Sequence, residues 1–126
     1  MSPTPSTIKL HRRSQELELV FGRQRFLLPA EFLRVLSPSA EVKGHGPGQE
    51  VLQLNKAKVA ITGVEAQGNY AIKLIFSDRH DSGIYTWDYL YELGTHQHQY
   101  WQDYLTQVTR HKEMDDVSAV KWVDPR

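Results

Sequence analysis

The segment Ser77-Asp78-Arg79-His80-Asp81-Ser82-Gly83-Ile84-Tyr85-Thr86-Trp87 carries the most information about the fold of this chain. It places a polar loop between an apolar strand over residues 70–76 and a helix that Thr86 can cap. That strand is apolar on both faces, a pattern typical of a strand in the centre of a sheet. Just before it, the pair Gly68-Asn69 predicts a tight turn between two antiparallel strands.

Toward the N-terminus, apolar and polar residues alternate with a period of two, which predicts a hairpin over residues 8–21 and a short strand over 26–28. A helix follows that begins near Pro29 and must end by Ser37, because the residue before Pro38 avoids helical backbone angles. Further strands are predicted over residues 51–54 and 59–62.

Apolar residues at helical spacing predict two helices at the C-terminal end of the chain, the first ending at Gly94 and the second capped by Thr95. Trp87 and Trp101 lie on their apolar stripes and are expected in the core. Trp122 lies beyond them, where it can dock on its own domain or on a partner. The predicted fold class is α+β: a mainly antiparallel sheet of five to seven short strands, with one inserted helix and two C-terminal helices.

The composition of the chain limits the functions that it can have. A chain of 126 residues fits one domain, which we assign to residues 7–111, between a disordered N-terminus over 1–6 and a loosely ordered tail over 112–126. Lys and Arg number 15, as do Asp and Glu, so no overall positive field favours nucleic acid or acidic lipid as a partner. The absence of cysteine excludes disulfides and thiolate chemistry. Neither a signal peptide nor a membrane span is evident, and a cytoplasmic protein is expected.

Three stretches carry a resemblance to a known family: residues 28–34 (Leu-Pro-Ala-Glu-Phe-Leu-Arg), residues 68–71 (Gly-Asn-Tyr-Ala), and residues 77–85 with Trp87. The chain resembles the DUF971 family, which shares the fold of the N-terminal domain of gamma-butyrobetaine hydroxylase. Such domains occur alone or fused to other proteins, including Mrp/ApbC-type ATPases linked to iron–sulfur cluster assembly. The resemblance therefore implies a non-catalytic accessory or protein-interaction domain beside metal-cofactor assembly or a larger enzyme.

In gamma-butyrobetaine hydroxylase, a Cys-Pro-Cys-x-x-Cys cluster and one later histidine hold a structural zinc ion. The matching residues here are Ser37-Pro38-Ser39-Ala40-Glu41-Val42, and the histidine position matches His80. Serine hydroxyls are poor zinc ligands, so no cofactor is expected. The alternative is a metal-binding protein in which His80, with His45 or Glu41, holds zinc or iron. A third hypothesis is an enzyme of unknown reaction. The hydroxylase's own iron site belongs to a separate domain, so no dioxygenase activity is expected.

The same resemblance implies that the segment Ser37–Gly48 and the loop Ser77–Gly83 lie together in space. Polar side chains at the ends of buried elements are the usual location of function in a small domain. We therefore predict an interaction patch for a protein partner at this place, formed by Ser37, Ser39, Glu41, His45, Asp78, Arg79 and His80.

Overall fold

The computed structural model describes residues 4–38, 52–78 and 81–123, and for residues 81–82 and 114–123 it describes the backbone alone. Five residues of the predicted patch lie outside the described residues, as does the glycine-rich segment at 44–48. Those five are Ser39, Glu41, His45, Arg79 and His80.

The described residues form six strands and three helices, and the strands pair in two antiparallel sheets of three. The N-terminal sheet has the order β1-β2-β3 and the C-terminal sheet the order β4-β5-β6, so β5 is central as its apolar sequence predicted. This arrangement confirms the α+β class with one inserted helix and two C-terminal helices. The elements are β1 (Thr7–His11), β2 (Glu16–Phe21), β3 (Gln24–Pro29), α1 (Ala30–Val35), β4 (Ile61–Gln67), β5 (Ala71–Phe76), β6 (Asp81–Thr86), α2 (Trp87–Thr95) and α3 (Gln97–Val123).

One apolar cluster joins the two sheets. Each sheet contributes its inner face, and α1 and α2 cover the cluster from the sides. Gln15 also links the sheets, because its side-chain oxygen accepts a hydrogen bond from the Ile61 N–H at 2.8 Å. The fully or almost fully buried members are Leu17, Leu19, Phe21, Leu28, Ala30, Phe32, Leu33, Ile61, Ile72, Leu74, Phe76, Tyr85, Leu90 and Leu93.

Local signals located several element ends correctly. The Thr86 hydroxyl caps α2 by accepting a hydrogen bond from the Tyr89 N–H at 3.1 Å. Helix α1 ends at Val35, ahead of Pro38 as predicted. Gly68 adopts a φ of 56° in the turn between β4 and β5, a left-handed conformation that glycine allows at little cost.

One predicted strand and one predicted helix boundary were wrong. Residues 52–54 belong to no strand; Gln53 is buried there and bonds to a side chain on α1. Gly94 was predicted to end the first C-terminal helix, but the helix does not end there, and Gly94 has no positive φ. It lies inside α2, which continues to Thr95, so Thr95 does not cap the next helix. Gly94 packs against the ring of Phe26 on β3. Both errors arise from contacts between distant parts of the chain.

The tryptophans lie at the edge of the core rather than inside it. Trp87 is half-buried and its indole N–H donates to the Asn69 carbonyl at 2.7 Å. Trp101, also half-buried, stacks on Tyr104 with ring centroids 5.0 Å apart. The backbone of α3 is helical as far as Val123, through much of the segment for which a loose tail was predicted. The side chain of Trp122 lies outside the described part of the chain.

The outer face of the N-terminal sheet carries a bridged carboxylate. Glu18 on β2 accepts a hydrogen bond from Arg25 Nε on β3 at 2.7 Å, and its other oxygen is 2.7 Å from His11 Nε2 on β1. The hydrogen bond from Arg25, and then the one from His11, lower the pKa of the Glu18 carboxyl to about 2. Glu18 thus joins all three strands of this sheet.

Glu18→Gln is expected to make the stability of the protein less dependent on pH in acid. In the wild type, a carboxyl with a folded pKa of about 2 and an unfolded pKa near 4.5 contributes stability in full above pH 4.5. This contribution disappears as the pH falls from about 4.5 to 2. Urea unfolding at a series of pH values should show wild type and variant converging in that window, with Glu65→Gln on β4 as the control. Parallel curves for wild type and Glu18→Gln between pH 4.5 and 2 would contradict the prediction.

Candidate functional site

A buried arginine organises one end of the molecule. The side chain of Arg34, on α1, is 2% exposed although it is charged. Its Nε donates to Asp78 Oδ2 at 2.9 Å, and its Nη1 donates to Gln53 Oε1 at 3.0 Å. Lys56 Nζ donates to the same Asp78 oxygen at 3.0 Å. We call these four residues, Arg34, Gln53, Lys56 and Asp78, the Arg34 cluster.

The Arg34 cluster joins three segments that are distant in sequence. Arg34 lies in α1, Gln53 and Lys56 lie between α1 and β4, and Asp78 directly follows β5. Removing a guanidinium from water costs several kcal/mol unless paired charges and hydrogen bonds replace the lost solvation. The arrangement meets this requirement, so Arg34 holds the three segments at fixed distances from one another.

Three tyrosine hydroxyls hold the backbone around this cluster. Tyr85 on β6 donates to the Leu33 carbonyl at 2.5 Å, and Tyr89 on α2 donates to the Leu36 carbonyl at 2.6 Å. These bonds satisfy carbonyls at the C-terminal end of α1, which have no partner within the helix. Burial raises the pKa of Tyr85 far above its ordinary value, and it raises the pKa of Tyr89 to about 12. Both hydroxyls therefore remain protonated donors at neutral pH.

The third hydroxyl holds the chain just after the segment 39–51, which lies outside the described residues. Tyr104 on α3 donates to the Gln53 carbonyl at 2.6 Å. Hydrogen bonds from tyrosine hydroxyls to backbone carbonyls thus hold the chain at Leu36, before this segment, and at Gln53, after it. The Arg34–Gln53 bond brings these two points together, and the Arg34–Asp78 ion pair adds the residue that precedes 79–80.

Of the predicted patch residues, Ser37 and Asp78 are described. Asp78 is partly exposed and belongs to the Arg34 cluster. Ser37 has no exposed surface, and its side chain is a hydrogen-bond partner of Tyr85. Ser37 is therefore not accessible to a partner, and its position cannot supply a thiolate-like ligand to zinc because a neutral, hydrogen-bonded hydroxyl is a poor donor. The zinc site of gamma-butyrobetaine hydroxylase does not fit this residue.

Sequence reasoning did not assign a role to Arg34, Gln53 or Lys56. One signal was present: Arg34 interrupts an apolar run between Leu33 and Val35 on a short helix, and a charge in such a place is buried only when it is paired. Its partner 44 residues away could not be identified from spacing.

Among the described residues, no group of three or more His, Cys, Asp or Glu side chains is arranged to hold a metal ion. No helix among them is long and apolar enough to cross a membrane.

Comparison with known proteins shows a family match over most of the folded region. Residues 8–91 match the family model described as gamma-butyrobetaine hydroxylase-like, N-terminal. No curated protein matches the chain.

Several solved structures are similar to this chain, among them the following three. One NMR solution structure shares 54% identity, covers 86% of each chain and superposes with a TM-score of 0.77. A second shares 45% identity over 88% of this chain and 83% of the other, with a TM-score of 0.75. A 1.93 Å crystal structure of a DUF971 family protein of unknown function from Acidithiobacillus ferrooxidans shares 32% identity over 72% of this chain and 92% of the other, with a TM-score of 0.60.

Proposed function

Because the chain belongs to the gamma-butyrobetaine hydroxylase-like N-terminal family, DUF971, we propose that it is a non-catalytic accessory domain that binds another protein. Its partner is a protein of metal-cofactor assembly, such as iron–sulfur cluster assembly, or a larger enzyme. It acts in the cytoplasm and binds neither nucleic acid nor membrane, in keeping with its formal net charge of zero.

The observation that carries this proposal is the Arg34 cluster. A buried ion pair adds little net stability, because the cost of removing both charges from water offsets their attraction, and apolar residues of similar volume stabilise a core as well or better. Its value here lies in geometry, because it fixes the flanks of segments 39–51 and 79–80 relative to each other. Binding residues are commonly carried on loops whose ends a rigid scaffold holds in place.

The polar groups named for the site among the described residues are hydrogen-bonded within the protein. The Arg34 guanidinium is paired with a carboxylate and an amide, and the Tyr85 and Tyr89 hydroxyls donate to backbone carbonyls. Groups arranged in this way position the backbone, and they are not aimed at a place where a substrate would react. This supports a binding role over catalysis.

Site-specific photo-crosslinking in the source cell tests the proposal. A photoreactive amino acid at Glu41, His45 or Arg79 is expected to form an adduct with the same partner protein, and excess unlabelled wild-type chain should suppress it. The matched control is the same amino acid at Glu65, which is exposed on β4, an edge strand of the C-terminal sheet. Adducts of equal yield from Glu65, or none from the three patch positions, would contradict the proposed interaction patch.

The metal-binding alternative, with His80 and either His45 or Glu41 as ligands, predicts a different result. Protein purified without a histidine tag would contain one zinc or iron per chain, and His80→Ala would lose it. On the proposal made here, metal content is far below one per chain and a strong chelator leaves the melting temperature unchanged, because the core is built from apolar side chains.

A further inference from the structure

Strand β1 lies at the edge of its sheet, and its second side is open in the part of the chain that the structure describes. It pairs with β2 without a register shift, from Thr7↔Val20 to His11↔Glu16. An edge strand presents a row of backbone N–H and C=O groups that have no partner in their own sheet. A further extended chain can therefore join this sheet as a fourth strand.

The other three edge strands of the described residues are less suited to such an addition. Strand β3 contacts α2, where Gly94 packs against the ring of Phe26. Strands β4 and β6 belong to pairs whose register shifts, and irregularities of this kind twist a strand and interrupt its pairing. The edge of β1 is therefore the place where a partner strand fits best.

The two faces of β1 differ in chemistry. Ile8 and Leu10 lie opposite buried leucines of β2 and pack half-buried against the core. Lys9 is exposed on the other face of the sheet, because successive side chains of a strand point to opposite sides. A strand added at this edge would meet apolar side chains on one face and a cation on the other.

The open edge and the turn that follows it are basic. Four exposed basic side chains lie here, Lys9, His11, Arg12 and Arg13, and no acidic residue precedes Glu16 in the sequence. His11 interacts with a carboxylate on β2, but Lys9, Arg12 and Arg13 form no ion pair within the described residues. Positive charge is thus concentrated at this edge, although the formal net charge of the chain is zero.

The position of Lys9 restricts which strand can be added. A lysine in the middle of an edge strand discourages pairing with most other strands, and pairing with β1 of a second copy would place lysine against lysine. The same charge favours a strand that brings a carboxylate to this position, because opposite charges on neighbouring strands attract. Lys9 therefore selects an acidic partner and disfavours self-association.

We propose that the open edge of β1 binds an extended acidic segment of another protein, which adds a fourth strand to the N-terminal sheet. Apolar residues of this segment lie beside Ile8 and Leu10. Asp or Glu residues alternate with them, beside Lys9 and toward Arg12 and Arg13. The surface contains no residue of the Arg34 cluster or of the predicted patch, so the proposal goes beyond the proposed function and is tested independently of it.

Peptide binding to the full chain tests the proposal. The probe is a fluorescein-labelled peptide of about eight residues in which Val and Glu alternate, a length typical of a strand. Fluorescence anisotropy should show saturable binding of this peptide, and binding that weakens as salt is added. A peptide of alternating Val and Lys should not bind, nor should the Val-Glu peptide with proline in place of a central valine.

Variants of the basic residues test the role of charge. Lys9→Gln is expected to weaken binding about fivefold, as is Arg12→Gln combined with Arg13→Gln, because each removes cations that face the carboxylates of the peptide. Glutamine is preferred to glutamate because a carboxylate at position 9 would lie opposite Glu18. Arg110→Gln is the matched control, since Arg110 is exposed on α3, outside the sheet.

Amide hydrogen exchange locates the bound peptide. Binding should slow the exchange of the outward-facing amides in residues 7–11 and leave those of β4 unchanged. Absence of saturable binding up to about 1 mM would overturn the proposal, as would an affinity that Lys9→Gln leaves unchanged. Unaffected exchange in β1 would also overturn it. Equal binding of polyglutamate or of a single-stranded oligodeoxynucleotide would overturn it too, because it would show attraction to any polyanion and not strand addition.

Discussion

Arg34→Ala is expected to lower the free energy of unfolding by about 3–5 kcal/mol, the usual cost of removing one member of a buried, hydrogen-bonded ion pair. The loss has two sources. The truncated side chain leaves a cavity beside α1, and the Gln53 side chain loses the donor that it meets in the interior. Asp78 retains Lys56 and some exposure, which limits the cost of its own lost bond. Urea unfolding at pH 7 measures the effect.

The chain offers a matched control in its second arginine–carboxylate pair. Arg25 bonds to Glu18 over 2.7 Å, but its side chain is 58% exposed, whereas that of Arg34 is 2% exposed. Ion pairs in contact with water contribute little, so Arg25→Ala should cost no more than about 1 kcal/mol. Equal losses from the two variants would show that burial does not set the importance of Arg34.

Arg34→Met separates the ion pair from the packing. Methionine fills much of the volume of the arginine stem and needs no hydrogen bond, so this variant should recover part of the stability that Arg34→Ala loses. It should not recover the geometry of the flanks of 39–51 and 79–80. On the proposed function, crosslinking from His45 to the partner therefore falls even in Arg34→Met, at temperatures where this variant is fully folded.

The sequence predicted the parts of this fold that local chemistry determines. Pro38 stops α1, Gly68 forms a turn, and Thr86 caps α2, because each effect acts within a few residues. It did not predict what contacts between distant residues determine. The alternation over 51–54 resembles a strand, yet Gln53 is held by Arg34 and by the hydroxyl of Tyr104, and these partners come from α1 and α3.

The candidate site, too, was predicted only in part from the sequence. The resemblance singled out two segments whose flanking residues the Arg34 cluster joins, and Asp78, which was named for the patch, is a member of that cluster. The residues that hold the segments were not predicted. A paired arginine and three carbonyl-bound tyrosines have no local sequence signature, because each interaction spans roughly 20 to 50 residues.

Gly94→Ala is expected to destabilise the protein by about 2–3 kcal/mol, against the usual direction of this change in a helix. Alanine in place of glycine inside a helix ordinarily stabilises by about 1 kcal/mol, because it restricts the unfolded chain. Here a Cβ at position 94 would lie 2.5 Å from Cδ2 and Cγ of the Phe26 ring and 2.7 Å from Cδ1. Such distances require the ring or the helix to move.

Phe26 has little freedom to move. Its ring centroid lies 5.9 Å from those of Phe21 and Tyr91, and the Tyr91 hydroxyl donates to Gln24 in the same sheet. The contact therefore joins β3 to α2, and displacement of the ring would disturb both. Thermal and urea unfolding of Gly94→Ala measure the cost directly. A variant more stable than the wild type would show that α2 can shift to admit the methyl group.

A double-mutant cycle identifies the clash as the cause. Phe26→Leu removes the ring atoms that face Gly94 and should itself cost about 1 kcal/mol, as a change of shape at a half-buried position. In the double variant, the alanine meets the smaller side chain, so Gly94→Ala should cost much less than in the wild-type background. Additive losses would place the effect of Gly94→Ala elsewhere. Strong coupling would establish that this glycine is required by the close approach of a strand and a helix, and not by the end of a helix.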